Sequence, residues 1–202
     1  MGGIMTAEPV PSASPSWPVP PRQGYTVDDL FDLPDLPPHT ELIDASLVFV
    51  SPQRKFHSLT MYLLESGVRR TVPENMRVRR EMPVVLSPST APEPDLCVVH
   101  AEADASHRQT RYEAADVVLA VEVVSPDSQE RDRDTKPHKY ARAGIPHFWR
   151  VEMSGEEDRP VVYVYELDPT TMVYAVTGIH HDRLKLAVPF PVDIDLADID
   201  HL

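Results

Sequence analysis

Glu122 is the residue that most needs a chemical explanation, because it is the only carboxylate in the apolar run over residues 117–124. Burying a carboxylate is costly unless it is paired or binds a metal ion. Asp95 lies directly before a second apolar run, residues 96–99. If the two runs are neighbouring strands, the two carboxylates can converge on one point. Hard oxygen ligands of this kind suit Mg²⁺ or Mn²⁺, with waters and a substrate phosphate as further ligands. The simpler alternative is a structural ion pair between Glu122 and an arginine.

The elements that must position these carboxylates begin near Tyr25. Thr26 followed by Asp29 predicts a capped short helix. The branched residues over 41–50 predict two short strands with a turn near Ala45 and Ser46. An apolar stripe of Phe56, Leu59, Tyr62 and Leu63 predicts a second helix over residues 55–66, which Gly67 is expected to end.

Most of the remaining chain has the patterns of strands. They are predicted over residues 76–81, 84–86, 96–99, 117–124, 145–151 and 184–186, with a hairpin joining 161–166 to 172–177. Residues 125–128 resemble a helix start, and the alternating charges over 130–134 are expected on an exposed face. The sequence therefore predicts one mixed α/β (α+β) domain with a central mixed sheet flanked by helices.

Composition sets further bounds. The 22 prolines in 202 residues are roughly double the usual share of about 5%, and six fall in residues 1–24, which we expect to be a disordered tail. The folded domain is then residues 25–202. A lone Cys97 excludes a disulfide framework and a cysteine-rich zinc site.

The charge balance limits the partners. Nineteen basic against 32 acidic residues give a net charge of −13, which disfavours non-specific binding to nucleic acids or anionic membranes. A local basic groove or bound metal ions would still allow a nucleic-acid site. No apolar run is long enough to span a membrane and no secretory leader is visible, so a cytoplasmic location is expected.

Histidines and arginines give weaker signals. The nine histidines are scattered, and none forms a convincing helical zinc-binding pair. An arginine cluster over residues 69–80, together with Arg54 and Lys55, would suit a phosphate-contacting face, or equally a solvated strand face that balances an acidic chain.

An ordered series of short motifs carries a family resemblance over residues 25–202. The series consists of Glu41-Leu42-Ile43-Asp44, Val50-Ser51-Pro52, His57, Pro94-Asp95, Glu122-Val123-Val124-Ser125-Pro126, Asp132, Lys136, Tyr140, Ala143-Gly144-Ile145-Pro146, Phe148-Trp149 and residues 192–196. In this order they resemble the Uma2 family, also called DUF820, of the PD-(D/E)XK nuclease superfamily.

The resemblance implies a restriction-endonuclease-like core and a Mg²⁺-dependent (or Mn²⁺-dependent) enzyme that hydrolyses DNA phosphodiesters, with homodimer formation expected from the superfamily. Asp95 matches the PD aspartate and Glu122 the acid of the second motif, so these two are expected to hold the metal. The usual lysine two residues later is replaced by Val124. Lys136 matches the lysine that such proteins place on the following helix.

The resemblance adds two further candidates, and a departure from its pattern adds a third. Glu41 resembles another acidic residue of the site, and His57 matches a family position at the start of the second helix. Pro137 disfavours helical geometry at residue 136, so the helix could restart at Pro137 and Lys139 could take the place of Lys136. Lys136 beside two carboxylates is expected to stay protonated, which favours an electrostatic role over that of a base.

Two alternatives to a DNA endonuclease remain open. A catalytically inactive descendant could keep the fold as a binding or assembly module, in agreement with the charge of −13. A nuclease acting on RNA or on structured DNA is equally compatible with the residues.

Overall fold

The computed structural model describes residues 19–155 and 157–202. The predicted tail therefore falls mostly outside the described residues. Within these residues the α-helices are α1 (Val27–Asp32), α2 (Lys55–Arg69) and α3 (Lys136–Arg142). The strands are β1 (Glu41–Ile43), β2 (Ser46–Val48), β3 (Met76–Arg80), β4 (Val84–Val85), β5 (Leu96–His100), β6 (Tyr112–Glu113), β7 (Val117–Val123), β8 (His147–Ser154), β9 (Arg159–Asp168), β10 (Val173–His180), β11 (Arg183–Leu186) and β12 (Val192–Asp195).

A six-stranded mixed sheet with the order β10-β9-β8-β7-β5-β3 forms the centre. Within this sheet β7 and β8 pair in parallel, and the other neighbours are antiparallel. One face packs against α2 and the β11–β12 hairpin, whereas α3, β4 and β6 pack on the other face. This arrangement confirms the predicted mixed α+β fold with a helix-flanked central sheet.

Two N-terminal predictions are confirmed. Thr26 and Asp29 form the reciprocal capping box of α1. Strands β1 and β2 pair as a hairpin, but its turn lies one residue earlier than predicted. Asp44 and Ala45 occupy it, both with positive φ, as a tight two-residue hairpin turn requires.

The predicted end of α2 at Gly67 is wrong. The helix continues to Arg69, because Gly67 serves close packing rather than termination. A Cβ at this position would lie 2.3 Å from Ile194 Cδ1 of β12, so glycine lets the helix lie directly on that strand. The buried face of α2 also differs from the predicted apolar stripe: Tyr62 is 56% exposed, while Met61 and Leu64 are buried.

The strands predicted in the middle and C-terminal parts are all present, with bounds that differ by a few residues. The strand predicted over residues 184–186 is β11, which pairs with β12 in a separate hairpin. No helix in the described part of the chain is long and apolar enough to cross a bilayer.

Candidate functional site

A cleft of about 350 Å³ opens where β7 ends and β5 begins. Its walls also include the N-terminal turn of α2 and the helical segment that leads into α3. Six acidic side chains line it: Glu41, Glu81, Glu93, Asp95, Glu122 and Asp132. The basic lining groups are Lys136 and Arg131, with His39 and His57. The cleft therefore holds more acidic than basic groups.

Glu122 lies in β7 on the face that α3 covers, and only 2% of it is exposed. Its Oε2 accepts a hydrogen bond from Lys136 Nζ at 3.0 Å, and its Oε1 accepts one from the Tyr140 hydroxyl at 2.6 Å. Burial raises the pKa of Glu122 well above its usual range; Lys136 opposes this, and the carboxylates of Asp132, Asp95 and Glu41 add to the rise. The arginine partner considered for Glu122 is not found, since its charged partner is a lysine.

Lys136 is the cation at the centre of the cluster. Its Nζ lies 2.8 Å from Glu41 Oε1, 3.0 Å from Glu122 Oε2 and 3.3 Å from Asp132 Oδ1. Burial alone would lower the pKa of Lys136, but the three carboxylates outweigh it and hold the pKa well above the usual value. The ammonium is therefore charged, and a charged ammonium has no lone pair with which to act as a base.

The local helix geometry explains how Lys136 reaches the cleft in spite of Pro137. Residues Arg131–Thr135 form a π-helical turn that runs directly into α3 at Lys136, with Thr135 and Lys136 both in helical geometry. Pro137 occupies the first turn of α3, where its missing N–H is tolerated. The predicted restart at Pro137 is therefore wrong, and Lys139 pairs instead with Asp44 at 2.5 Å, away from the cleft lining.

Asp132, Lys136 and Tyr140 follow one another at intervals of four residues, so they share one face of this continuous helical segment. All three are buried, and all three lie around Glu122 or its lysine. The prediction of an exposed face over residues 130–134 is wrong for Asp132, whose side chain is buried and whose Oδ1 forms an ion pair with Lys136. Burial raises the pKa of Asp132. The spacing of four residues was the signal that could have identified it.

Asp95 is held beside Glu122 by strand pairing. Leu96 at the start of β5 pairs with Val121 of β7, so Asp95 lies next to the end of β7, where its Oδ2 accepts a hydrogen bond from the Val123 N–H at 2.6 Å. The prediction that the two apolar runs are neighbouring strands is confirmed, and both carboxylates line the same cleft.

His57, on the first turn of α2, bridges the same two strands. Its Nε2 lies 3.1 Å from Asp95 Oδ1 and its Nδ1 3.2 Å from the Val123 carbonyl oxygen. Burial lowers the pKa of His57, but Asp95 outweighs it and the net shift is upward. Since both partners are acceptors, the geometry favours an imidazolium that donates from both nitrogens. His57 therefore positions Asp95 and has no free nitrogen of its own.

Glu41 enters the cleft from β1. Its strand is tied to the segment before Asp95 through reciprocal backbone hydrogen bonds between Leu42 and Ala91. Glu41 Oε1 accepts both Lys136 Nζ and the Glu93 N–H, the latter at 2.8 Å. The structure thus brings together Glu41, His57, Asp95, Glu122 and Lys136 and leaves out Lys139.

The arginine cluster does not form part of the cleft. Arg69 pairs with Glu65, Arg79 with Asp104, and Arg80 with Glu65 and Glu81. These ion pairs support the interpretation of a charge-balanced surface over that of a phosphate-contacting face.

The donor set bears on which metal ion the cleft could hold. Among the described residues, no three His, Cys, Asp or Glu side chains are arranged to hold one ion. Each oxygen of Asp95 and Glu122 has one hydrogen-bonded or ion-paired partner and retains a second lone pair. Two carboxylates with water and phosphate completing the shell are the pattern of Mg²⁺ rather than of a full protein cage, so these residues fit such an ion.

The chain is similar to known proteins in sequence and in fold. The sequence profile of the Uma2 family, described as "Putative restriction endonuclease", matches residues 27–197. A crystal structure of a putative nuclease belonging to DUF820 from Anabaena variabilis ATCC 29413 superposes with a TM-score of 0.68 at 17% identity, covering 86% of this chain and 96% of that one. No curated protein sequence matches the chain. The superposition shows that the two proteins share a fold.

Proposed function

The chain belongs to the Uma2 family, and on that premise we propose that it is a metal-dependent DNA endonuclease that hydrolyses phosphodiester bonds in the cleft around Glu122. The observation that carries the proposal is the excess of buried carboxylates in this cleft. The buried Glu41, Glu122 and Asp132 share a single lysine, and the partly exposed Glu93 and Asp95 line the same cleft. A fold that served only stability would have little reason to retain uncompensated buried charge.

Asp95 and Glu122 are the residues proposed to hold the ion, Mg²⁺ or Mn²⁺. When bound, such an ion polarises a phosphate and lowers the pKa of a coordinated water. It would also offset the charge of the cleft, which otherwise repels a polyanion.

The chain's own groups would then complete the site. Lys136 lines the cleft as a fixed cation and stabilises negative charge that develops on phosphate oxygens. Tyr140 orients Glu122 by donating to Oε1, and His57 orients Asp95 by contacting Oδ1. Both are positioning residues, because neither offers a free group to the substrate.

The decisive experiment compares nicking of supercoiled plasmid by the wild-type protein, Glu122→Gln and Glu130→Gln, with Mg²⁺, with Mn²⁺ and with a chelator. Glu122→Gln preserves shape but removes the charge, and nicking should fall by at least about 100-fold, as when one preorganised electrostatic group is lost. Glu130 is an exposed acid that does not line the cleft, and its change should have no effect.

Calorimetric titration with Mg²⁺ gives an independent readout. Asp95→Ala and Glu122→Ala should abolish the binding heat that the wild-type protein shows. Nicking that is equal in Glu122→Gln and wild type, or Mg²⁺ binding that survives both alanine changes, would contradict the proposal. Cleavage of RNA but not of plasmid would support phosphodiester hydrolysis in this cleft but show that the substrate is RNA.

A catalytically inactive module is the second candidate, and one observation favours it. Both oxygens of Glu122 are engaged by Lys136 and Tyr140, so the network is complete without a metal ion. A wild-type protein that binds DNA without cutting it under any of these conditions would establish this alternative. Homodimer formation and a cytoplasmic location stay predictions of the sequence.

A further inference from the structure

A second carboxylate–imidazole pair lies in the same cleft, at residues that no sequence motif had indicated. His39 Nδ1 lies 2.5 Å from Glu93 Oε1. Half of the His39 side chain is exposed, whereas only 12% of the Glu93 side chain is. Both residues line the cleft together with Asp95. An accessible imidazole is therefore backed by a largely enclosed carboxylate beside the proposed reaction site.

The backbone fixes both partners. His39 has a φ of 59°, a left-handed conformation that is uncommon for a residue other than glycine. Glu93 is fixed through its N–H, which donates to Glu41 Oε1. The segment that carries Glu41 into the cleft thus also sets the position of the His39–Glu93 pair.

The two histidines of the cleft differ in what they can offer a substrate. Both nitrogens of His57 are occupied, by Asp95 and by the Val123 carbonyl. His39 uses Nδ1 for Glu93, and no group in the described part of the chain lies within hydrogen-bonding distance of its Nε2. A carboxylate on Nδ1 and an open Nε2 is the arrangement by which an imidazole is oriented for proton transfer.

We propose that His39 is a catalytic residue that protonates the leaving oxygen of the phosphodiester, with Glu93 as the residue that orients it. This role rests on the proposed nuclease function. Water forms the new bond to phosphorus and releases a proton to solvent, while the bond from phosphorus to the leaving oxygen breaks. The imidazolium transfers its Nε2 proton to that oxygen, and solvent then reprotonates the neutral His39.

The charges around His39 support this assignment. The hydrogen bond with Glu93 raises the pKa of His39; partial burial opposes the rise, and the negative charges of Glu93, Glu81 and Asp95 add to it. More of the imidazole is therefore protonated near neutral pH than in a free histidine, as an acid catalyst requires.

The test uses two substrates that differ in their need for an acid. In His39→Gln the amide can still donate to Glu93 but cannot transfer a proton. Plasmid nicking should fall by about 10²- to 10⁴-fold, the usual contribution of a general acid. Hydrolysis of thymidine 5′-(p-nitrophenyl phosphate) should change little, since nitrophenolate leaves without protonation. His107→Gln, the same change in an exposed loop away from the cleft, is the matched control and should resemble wild type on both substrates.

The pH profile supplies a second readout. Wild-type nicking should decline on the alkaline side as His39 loses its proton, and this decline should be absent in His39→Gln. Equal slowing on both substrates, unchanged nicking, or an alkaline decline that persists in the variant would each overturn the role of His39. If the small ester is not a substrate of the wild type, the pH profile decides. A wild-type protein inactive on both substrates would overturn the proposed function, and this role with it.

Discussion

Glu122 and Lys136 form a buried ion pair at the centre of the cleft. The carboxylate lies in a sheet and the ammonium on a helix, so neither can move far without disturbing an element. Tyr140 fixes the second oxygen of Glu122, and Glu41 and Asp132 fix the ammonium from two other sides. The lysine is therefore a preorganised positive charge, as its proposed role in stabilising developing negative charge requires.

Comparing Lys136→Met with Lys139→Met tests this assignment. Lys136→Met keeps most of the side-chain volume but leaves three carboxylates without their cation. We expect nicking to fall by at least about 100-fold and the free energy of unfolding to fall by about 3–5 kcal/mol, since a buried charge network loses its partner. Lys139 pairs with an exposed Asp44, and its change should cost at most about 1 kcal/mol.

Nicking rates, with urea unfolding of both variants, provide the measurement. A Lys136→Met protein that is folded under assay conditions and still nicks at the wild-type rate would remove the lysine from the mechanism. Equal losses of activity in both variants would mean that the cleft does not distinguish the two lysines.

At the scale of elements, a second ion-pair cluster fastens the loop between β5 and β6 to the edge strand β3. Asp104 accepts hydrogen bonds from Arg79 Nε at 3.0 Å and from the Tyr112 hydroxyl at 2.7 Å. Burial raises the pKa of Tyr112 to about 12, so the phenol remains a donor at all ordinary pH values. Burial would raise the pKa of Asp104, but the bonds from Arg79 and Tyr112 outweigh it and lower the pKa.

This lowered pKa gives a prediction of pH dependence. A carboxyl with a lowered folded-state pKa stabilises the protein above its unfolded pKa of about 3.9 and loses that contribution as pH falls through the folded value. Asp104→Asn should therefore cost about 1–2 kcal/mol at pH 7, as for a hydrogen-bonded, partly exposed charge. The difference from wild type should shrink below about pH 4.

Urea unfolding of the wild type and the variant between pH 7 and pH 3 measures the difference. Glu113→Gln, in the neighbouring strand β6 and exposed, is the control and should show no comparable loss. A difference that grows on acidification would contradict the assigned direction of the pKa shift.

The elements also show how far the sequence could predict the site. The apolar runs before and around Glu122 predicted neighbouring strands, and β5 and β7 are neighbours because a buried run needs pairing on both sides. The continuous helix through Lys136 could not be predicted, since the buried ion pairs of Lys136 with Glu41 and Glu122 join it to strands distant in the sequence. Pro137 therefore suggested a break where the helix is continuous.

Two further features that the sequence did not predict also depend on contacts between residues far apart in the chain. Gly67 suggested a helix end from local propensity, whereas its contact with Ile194 of β12 depends on residues far apart in the chain. His39 and Glu93 are 54 positions apart, and nothing in their local sequence indicates a pair. Local patterns specified the strands and helices, while the partners of single polar residues depended on how these elements pack.

At the scale of the whole molecule, the net charge of −13 and the acidic cleft both bring like charges together. Like charges lower stability, most of all where burial weakens screening by water. The raised pKa values of Glu93, Glu122 and Asp132, caused first by burial in each case, lie within this one cleft. A divalent cation bound there would therefore stabilise the folded chain as well as support catalysis.

Thermal unfolding with and without Mg²⁺ measures this stabilisation of the folded chain by a bound cation. A site that only the folded chain offers contributes about 2.7 kcal/mol at an ion concentration 100 times Kd, which corresponds to roughly 5–10 °C in Tm for a domain of this size. NaCl at equal ionic strength should raise Tm less, because it screens charge without occupying the site. In Asp95→Asn the additional effect of Mg²⁺ should disappear. Two outcomes would contradict a specific ion between Asp95 and Glu122, even if the protein cuts DNA. NaCl and Mg²⁺ could raise Tm equally, or Asp95→Asn could keep the additional rise in Tm that Mg²⁺ produces. Either result would mean that general screening reduces the repulsion between the acidic side chains of the cleft.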